Sequence, residues 1–368
     1  MTVDPLDIAV GIERLYHDWE KIDVEIPRPE GFKVVEKIGE IPATEWKGRE
    51  QGRYAFFLLE KVNRDHFSVL NELERVLGSK VRYLGIKDAN AATYQLVYVK
   101  APSKVTEYVG ERFKITFRGY YDGKVPHGGN EFTIRLVSDR LAEIEERVKE
   151  ITKDPYVPNF IGYQRFGTRR PITHVVGYYL LRRDWCNALF HILGRPFYSE
   201  SETMRKTRKL VDEGRLEEAL KEIPGKFKQE KVLLKNYLKK GGCYYALKSS
   251  LIPLSFYAEA FQSYLFNKYL SRKMDKVKQD KEAYLTLPVE PSKCDDVCRE
   301  ILEEEGISLA EFKVPELKVN LKELARKAFV KVRNIRFKDG TLTFEIERGA
   351  YATVVLKELL NADPLKIT

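Results

Sequence analysis

Strand-patterned segments stand at both ends of this chain, with a long helical stretch between them. That arrangement restricts the fold more than any other feature. Residues 52–62, GRYAFFLLEKV, form a strong strand pattern rich in aromatics. Residues 81–86, VRYLGI, and 93–100, TYQLVYVK, are two further strand patterns around a polar insert, KDANAA. Residues 111–121 and 130–138 alternate in the same way, and 24–38 read as a proline-bounded start of a strand. Helical spacing interrupts them twice. In 65–78 it predicts Phe67, Leu70, Leu73 and Val76 or Leu77 on one face, with Gly78 ending the helix. In 139–152 Asp139 is the expected cap. After about residue 175 the patterns turn helical, through 175–193, 205–223 and 255–274, and 275–310 is highly charged. Strand patterning returns at 333–352, with Asp339–Gly340 as a hairpin turn, and 352–360 is the last helix. This is an α+β pattern. A chain of 368 residues exceeds one compact core. The helical middle is therefore expected as an insertion into the first domain: 1–180 plus 336–368 for one domain, 181–335 for the other.

Composition narrows the partners. Lys and Arg number 64 against 55 acidic side chains, a net charge of +9, which favours polyanions, nucleic acid first. Cys186, Cys243, Cys294 and Cys298 are too few and too scattered for a disulfide framework, which fits a reducing cytoplasm. The first twenty residues carry acids early and do not read as a signal peptide. No stretch reaches the ~18 apolar residues of a membrane span. The charged fraction of 32% hints at a heat-adapted source.

Common catalytic signatures are missing: there is no GxxxxGK[ST], HExxH or GxSxG. The five histidines show no ligand spacing, and Cys294 with Cys298 falls short of four zinc ligands, so no metal is expected. Residues 159–171, NFIGYQRFGTRRP, interleave aromatics with arginines and two glycines. Arginine forks grip phosphates and aromatic faces stack on unpaired bases, although a buried turn with a solvated basic edge has the same composition. Asp88, in the polar insert, suits an Asx turn or helix cap as well as catalysis. The basic runs 205–210 and 231–240 are solvated faces or an extended RNA surface.

Two of these stretches together resemble the TruD family of tRNA pseudouridine synthases, in its archaeal type. GIKDANAATYQ, residues 85–95, matches that family's Gly-x-Lys-Asp signature, and NFIGYQRFG, 159–167, matches its Gly-x-Gln-Arg-Phe-Gly block. GGNEFTIRL at 128–136 and GAYATVVLKELL at 349–360 follow in family order. EGFKVVEKI and FQSYLFNKYL are looser fits, so the resemblance spans roughly residues 26–360. It implies a catalytic domain with a central, mostly antiparallel sheet and helices, interrupted by an inserted, largely helical α/β domain. It implies isomerisation of uridine to pseudouridine, at position 13 of tRNA, without a cofactor.

By family position Asp88 is the catalytic aspartate. It would attack carbon 6 of uracil or the anomeric carbon, or abstract a ribose proton, and the sequence does not choose. A buried carboxylate tends to keep its proton, so a cation is expected beside it. The resemblance offers Arg28, through a one-residue gap. Asn159 is expected to orient the aspartate or its loop. Ile161 stands where the family has an aromatic and is expected to cover the uracil, with Phe160 one step earlier. Lys87, Thr93, Gln95, Asn130, Gln164, Arg165 and Phe166 complete the expected substrate-binding set, Lys87 either touching phosphate or pairing locally. The uridine must be flipped out, at a cost of a few kcal/mol that phosphate contacts from two domains around a basic cleft would offset. The expected partner is tRNA, bound by a cytoplasmic monomer with no protein partner. The alternatives are a non-catalytic RNA-binding protein or RNA chaperone on the same scaffold, and a nucleoside hydrolase, which would not need so basic a surface.

Overall fold

The computed structural model describes residues 3–368. They form two compact units, one of residues 19–157 with 330–367, the other of 3–18 with 158–329 and 368. The first unit is built on a mixed sheet. Its main strands are β1 (Phe32–Ile38), β2 (Tyr54–Val62), β3 (Ala92–Lys100), β4 (Glu107–Gly110), β5 (Phe113–Tyr121), β6 (His127–Arg135), β7 (Arg333–Lys338) and β8 (Thr341–Ile346). They lie in the order β7-β8-β6-β1-β3-β2-β5-β4. Only β1 and β3 run parallel in this path; the other neighbours are antiparallel. The chain thus has the α+β architecture its patterning implies, with a mostly antiparallel central sheet.

Strand β2 shows why the sheet is buried on both sides. Alternate side chains of a strand point to opposite faces. Ala55, Phe57 and Leu59 enter one apolar cluster with Val69, Leu70, Leu73, Val97, Val99 and Ile115. Phe56 and Leu58 enter another with Ile38, Trp46, Leu96, Tyr98 and Val125. A strand covered on both faces reads as a continuous apolar run, as FFLL does.

Two local expectations are corrected. The helix His66–Leu77 buries His66, Val69, Leu70 and Leu73, while Phe67 is half exposed. Asp65 sets this register: its carboxylate accepts the Ser68 N–H at 2.8 Å and starts the helix at His66. Asp139 is not a cap, because the next helix runs Leu141–Lys153 from Arg140, which makes no side-chain cap bond. The hairpin turn appears as read, with Asp339 at φ 50° and Gly340 at φ 74°, the two positive values a tight hairpin needs.

The second unit is helical from Thr173 to Val277, with no intervening strand. This is the helical insertion. Its long helix, Leu254–Val277, packs against Thr173–Leu181. The reading of the cysteines is also corrected. Cys186 and Cys243, on different helices, form a disulfide, and so do Cys294 and Cys298. Separation in sequence hid the first pair; helix packing brings its Cα atoms to 5.0 Å. Among the described residues, no helix is long and apolar enough to cross a membrane.

Gly177 lets the two packed helices meet. A Cβ there would lie 1.9 Å from the Tyr257 carbonyl oxygen, which belongs to helix backbone and cannot swing aside. Gly177→Ala is expected to lower stability by about 1–3 kcal/mol in denaturant titration, despite alanine's better helix propensity. An unchanged midpoint would refute this close packing.

Candidate active site

The polar insert between Tyr83 and β3 is a mostly exposed loop interrupted by one buried charged side chain. Ile86 and Asp88 face solvent; Lys87, between them, is buried. Lys87 therefore turns inward. Its Nζ donates to Glu36 Oε1 at 2.8 Å, and Glu36, on β1, is fully buried. The other oxygen of Glu36 accepts the Leu96 N–H at 3.0 Å. His127 Nε2 lies 3.4 Å from Glu36 Oε1. Nδ1 of that ring accepts the Gly129 N–H at 3.0 Å, which assigns the ring proton of neutral His127 to Nε2, facing the carboxylate. Burial lowers the pKa of His127, with Glu36 opposing. Gly85 leaves room for this cluster: a Cβ there would lie 3.1 Å from Lys87 Nζ. Of the two roles open to Lys87, the local pair is the one formed here, with Glu36.

Three other side chains hold the backbone of this loop. Gln95 Nε2 donates to the Gly85 carbonyl at 2.9 Å. Arg28 Nη1 donates to the Asn90 carbonyl at 2.8 Å, and its Nη2 to Ile367 at 3.3 Å. Lys61, on β2, donates to the Asp88 carbonyl at 2.5 Å and to the Lys87 carbonyl at 3.4 Å. The Arg28 guanidinium also lies 3.8 Å over the Phe32 ring. Thr93 sits opposite Lys61 in the β2–β3 register, and Asn130 opposite Glu36 between β1 and β6. Thr93 is fully buried, and its hydroxyl makes no hydrogen bond among the described residues.

The electrostatics follow from these positions. Burial lowers the Arg28 pKa, and attraction to Asp88 opposes this. Burial brings Lys61 down to about 8, with Asp88 and Asp65 acting to raise it. His66 falls to about 4 through burial and through Lys61 and Lys87, so its ring is neutral near pH 7. Asp88 itself is exposed.

The second motif folds within the other unit. Asn159 donates from Nδ2 to the Lys327 carbonyl at 3.0 Å and accepts from Arg326 at 2.9 Å. Phe160, Ile161 and Phe166 are buried, with Phe166 edge-on to His174. Arg165 pairs with Glu259 at 2.9 Å and stacks over Phe256. Gln164 is exposed. Asn267, on the long helix, clamps the motif's backbone: Oδ1 accepts the Ile161 N–H at 2.8 Å and Nδ2 donates to the Ile161 carbonyl at 3.0 Å.

The chain is similar to known proteins over its whole length. The family model for tRNA pseudouridine synthase D (TruD) matches residues 9–284 and 285–359. The chain is 50% identical to a Saccharolobus solfataricus protein named "Probable tRNA pseudouridine synthase D", covering 100% of both. A Sulfurisphaera tokodaii protein of the same name is 45% identical over 98% of this chain and 100% of its own. The crystal structure of a Methanosarcina mazei TruD protein superposes with a TM-score of 0.75, covering 100% of both chains at 21% identity. The chain belongs to the TruD family.

It is therefore a pseudouridine synthase, an isomerase, on the TruD fold. Sequence reasoning passed over three residues that support this TruD loop from neighbouring strands: Glu36, Lys61 and His127. Lys61 was legible in principle, as a cation on the inward parity of Ala55, Phe57 and Leu59. Glu36 and His127 gave no local signal, because their partner lies far away in sequence.

Removing Glu36 would leave the Lys87 ammonium buried without a counter-charge, which costs far more than the pair is worth. Glu36→Ala is expected to lose about 3–5 kcal/mol in denaturant unfolding. Adding Lys87→Met should recover part of that loss. A double variant no more stable than the single one would refute the pairing.

Proposed function

We propose that this TruD protein isomerises a uridine of tRNA, at position 13, to pseudouridine, with Asp88 as the catalytic residue. One observation carries the reading. Asp88 presents an exposed carboxylate on a loop whose backbone is held by Gln95, Arg28 and Lys61 and whose next side chain is anchored to Glu36. Chemistry by a carboxylate needs that oxygen ionised and fixed in place. Arg28 and Lys61 supply positive charge close by, and the loop is stiff because four separate contacts restrain it.

The uridine is flipped out to reach Asp88, and its unstacking is offset by contacts to neighbouring phosphates. Arg28 is the proposed basic partner of Asp88, close enough for attraction between them. Asn159 and Ile161 serve the second motif, Asn159 by holding backbone and Ile161 by apolar contact with the base. Residues 1–180 with 336–368 form the catalytic domain and 181–335 the inserted one, so residues 158–180 count here with catalysis although they pack in the helical unit. The protein acts as a cytoplasmic monomer. Attack at carbon 6, attack at the anomeric carbon and ribose proton abstraction all use the same carboxylate.

Transcripts of tRNA carrying tritium at uracil carbon 5 test this directly. Wild type should release the label, and Asp88→Asn should slow release by about 10³-fold or more. A mutant that still turns over would remove Asp88 from the reaction, and a wild type that binds without releasing label would make the protein an RNA chaperone. Affinity should fall with salt equally for wild type and Asp88→Asn, with a slope of about 0.7–0.9 per phosphate contacted. A flat salt response would refute phosphate-driven binding.

A further inference from the structure

Lys61, like Arg28, supports the loop without a carboxylate at contact distance among the described residues, and of the two it is the more deeply buried. It lies on the same parity as Ala55, Phe57 and Leu59, and it is 1% exposed. Its cross-strand neighbours are Thr93 and Phe113. Packing alone would place an apolar side chain there. An ammonium buried in such surroundings is costly unless it is paired. Lys87, close by, solves the problem with Glu36. Lys61 instead points its ammonium at two backbone carbonyls, those of Lys87 and Asp88.

We infer that Lys61 is a positioning residue for the TruD reaction: its buried ammonium fixes the peptide of Asp88 from beneath and sets a positive charge behind the carboxylate. The inference rests on Asp88 being the catalytic group. The tether and the charge are separate contributions. The tether fixes where the Asp88 backbone sits, and so which way its side chain leaves the loop. The charge draws the Lys87 and Asp88 carbonyls more strongly than a neutral donor would, and it leaves the Asp88 oxygens untouched because the hydrogen bonds go to the main chain.

The charged groups around Lys61 set when this contribution is present. Asp88 and Asp65 favour the ammonium; Lys87 and burial oppose it. His66, at the start of the helix beside it, is neutral near pH 7 and adds no charge. The result lies below the ordinary lysine value of about 10.4, at about 8. Lys61 is therefore charged below that pH and neutral above it. Its electrostatic contribution is complete under mildly acidic conditions and is lost as the pH rises through about 8.

The test measures kcat and KM for tritium release between about pH 6 and 10 with the full-length protein. The variants are Lys61→Arg, Lys61→Gln and Asp88→Asn, with folding checked by circular dichroism. Wild-type kcat should fall along an alkaline limb centred near pH 8. Lys61→Arg, which keeps its charge throughout, should lose that limb and stay active at high pH. Lys61→Gln keeps a hydrogen-bond donor but no charge; its kcat should drop by roughly tenfold or more, without the limb and with KM for tRNA unchanged. A purely structural lysine would lower the thermal midpoint in Lys61→Gln and leave the pH profile of kcat as in wild type, which overturns the inference. If Arg does not fit and that variant misfolds, the wild-type profile still decides: a flat response through pH 8 overturns it. If Asp88→Asn releases no label and Lys61→Gln behaves as wild type, only the role of Lys61 fails. If Asp88→Asn turns over, the assignment of Asp88 fails and takes this inference with it.

Discussion

The loop of residues 84–91 depends on one buried ion pair, Lys87 with Glu36. The pair is dry on both sides, at 2.8 Å, and Glu36 spends its second oxygen on the β3 backbone at Leu96. A buried pair of this kind contributes little net stability, because desolvating both charges offsets their attraction. What it does contribute is uniqueness. Once Lys87 must point inward, its neighbours Ile86 and Asp88 must point outward, and the exposure of the candidate nucleophile follows. The Gly-x-Lys-Asp signature then has a physical reading. Glycine clears space for the ammonium, lysine fixes the loop's inside, and aspartate takes the outside.

The sheet makes that arrangement rigid. Strands β2 and β3 pair over nine residues, from Tyr54 with Lys100 to Val62 with Ala92, with apolar clusters on both faces. The loop runs directly into β3. Lys61, near the end of β2, and Glu36, on β1, reach it from two neighbours of that strand. Three adjacent strands thus converge on one short segment, and local fraying of any one of them leaves the other restraints in place.

The sheet and the helical middle were legible from periodicity, because two-residue and 3.6-residue patterns report burial directly. The Asp88 loop was legible as polar residues between strands, and its motif as a family signature. What sequence reasoning could not reach depends on long-range packing. The Lys87–Glu36 pair spans 51 residues, the Asn267–Ile161 clamp spans 106 and the Cys186–Cys243 bridge 57. No local pattern marks such partners. The helix register at His66 was missed for a local reason, since the capping by Asp65 outweighed the apparent claim of Phe67 to the buried face.

The way the cations meet this loop bears on how a carboxylate there can act. Among the described residues, Asp88 has no ion pair at contact distance, while Arg28 and Lys61 both spend their hydrogen bonds on main-chain carbonyls. A bidentate pair with arginine would hold both carboxylate oxygens and reduce their availability to an incoming atom. Carbonyl-bound cations raise the local positive potential and leave the oxygens free. The same contacts bind the cations to the loop, so charge and nucleophile move together. On the proposed reading this is how one exposed aspartate can be flanked by positive charge and still unoccupied when a flipped uridine arrives.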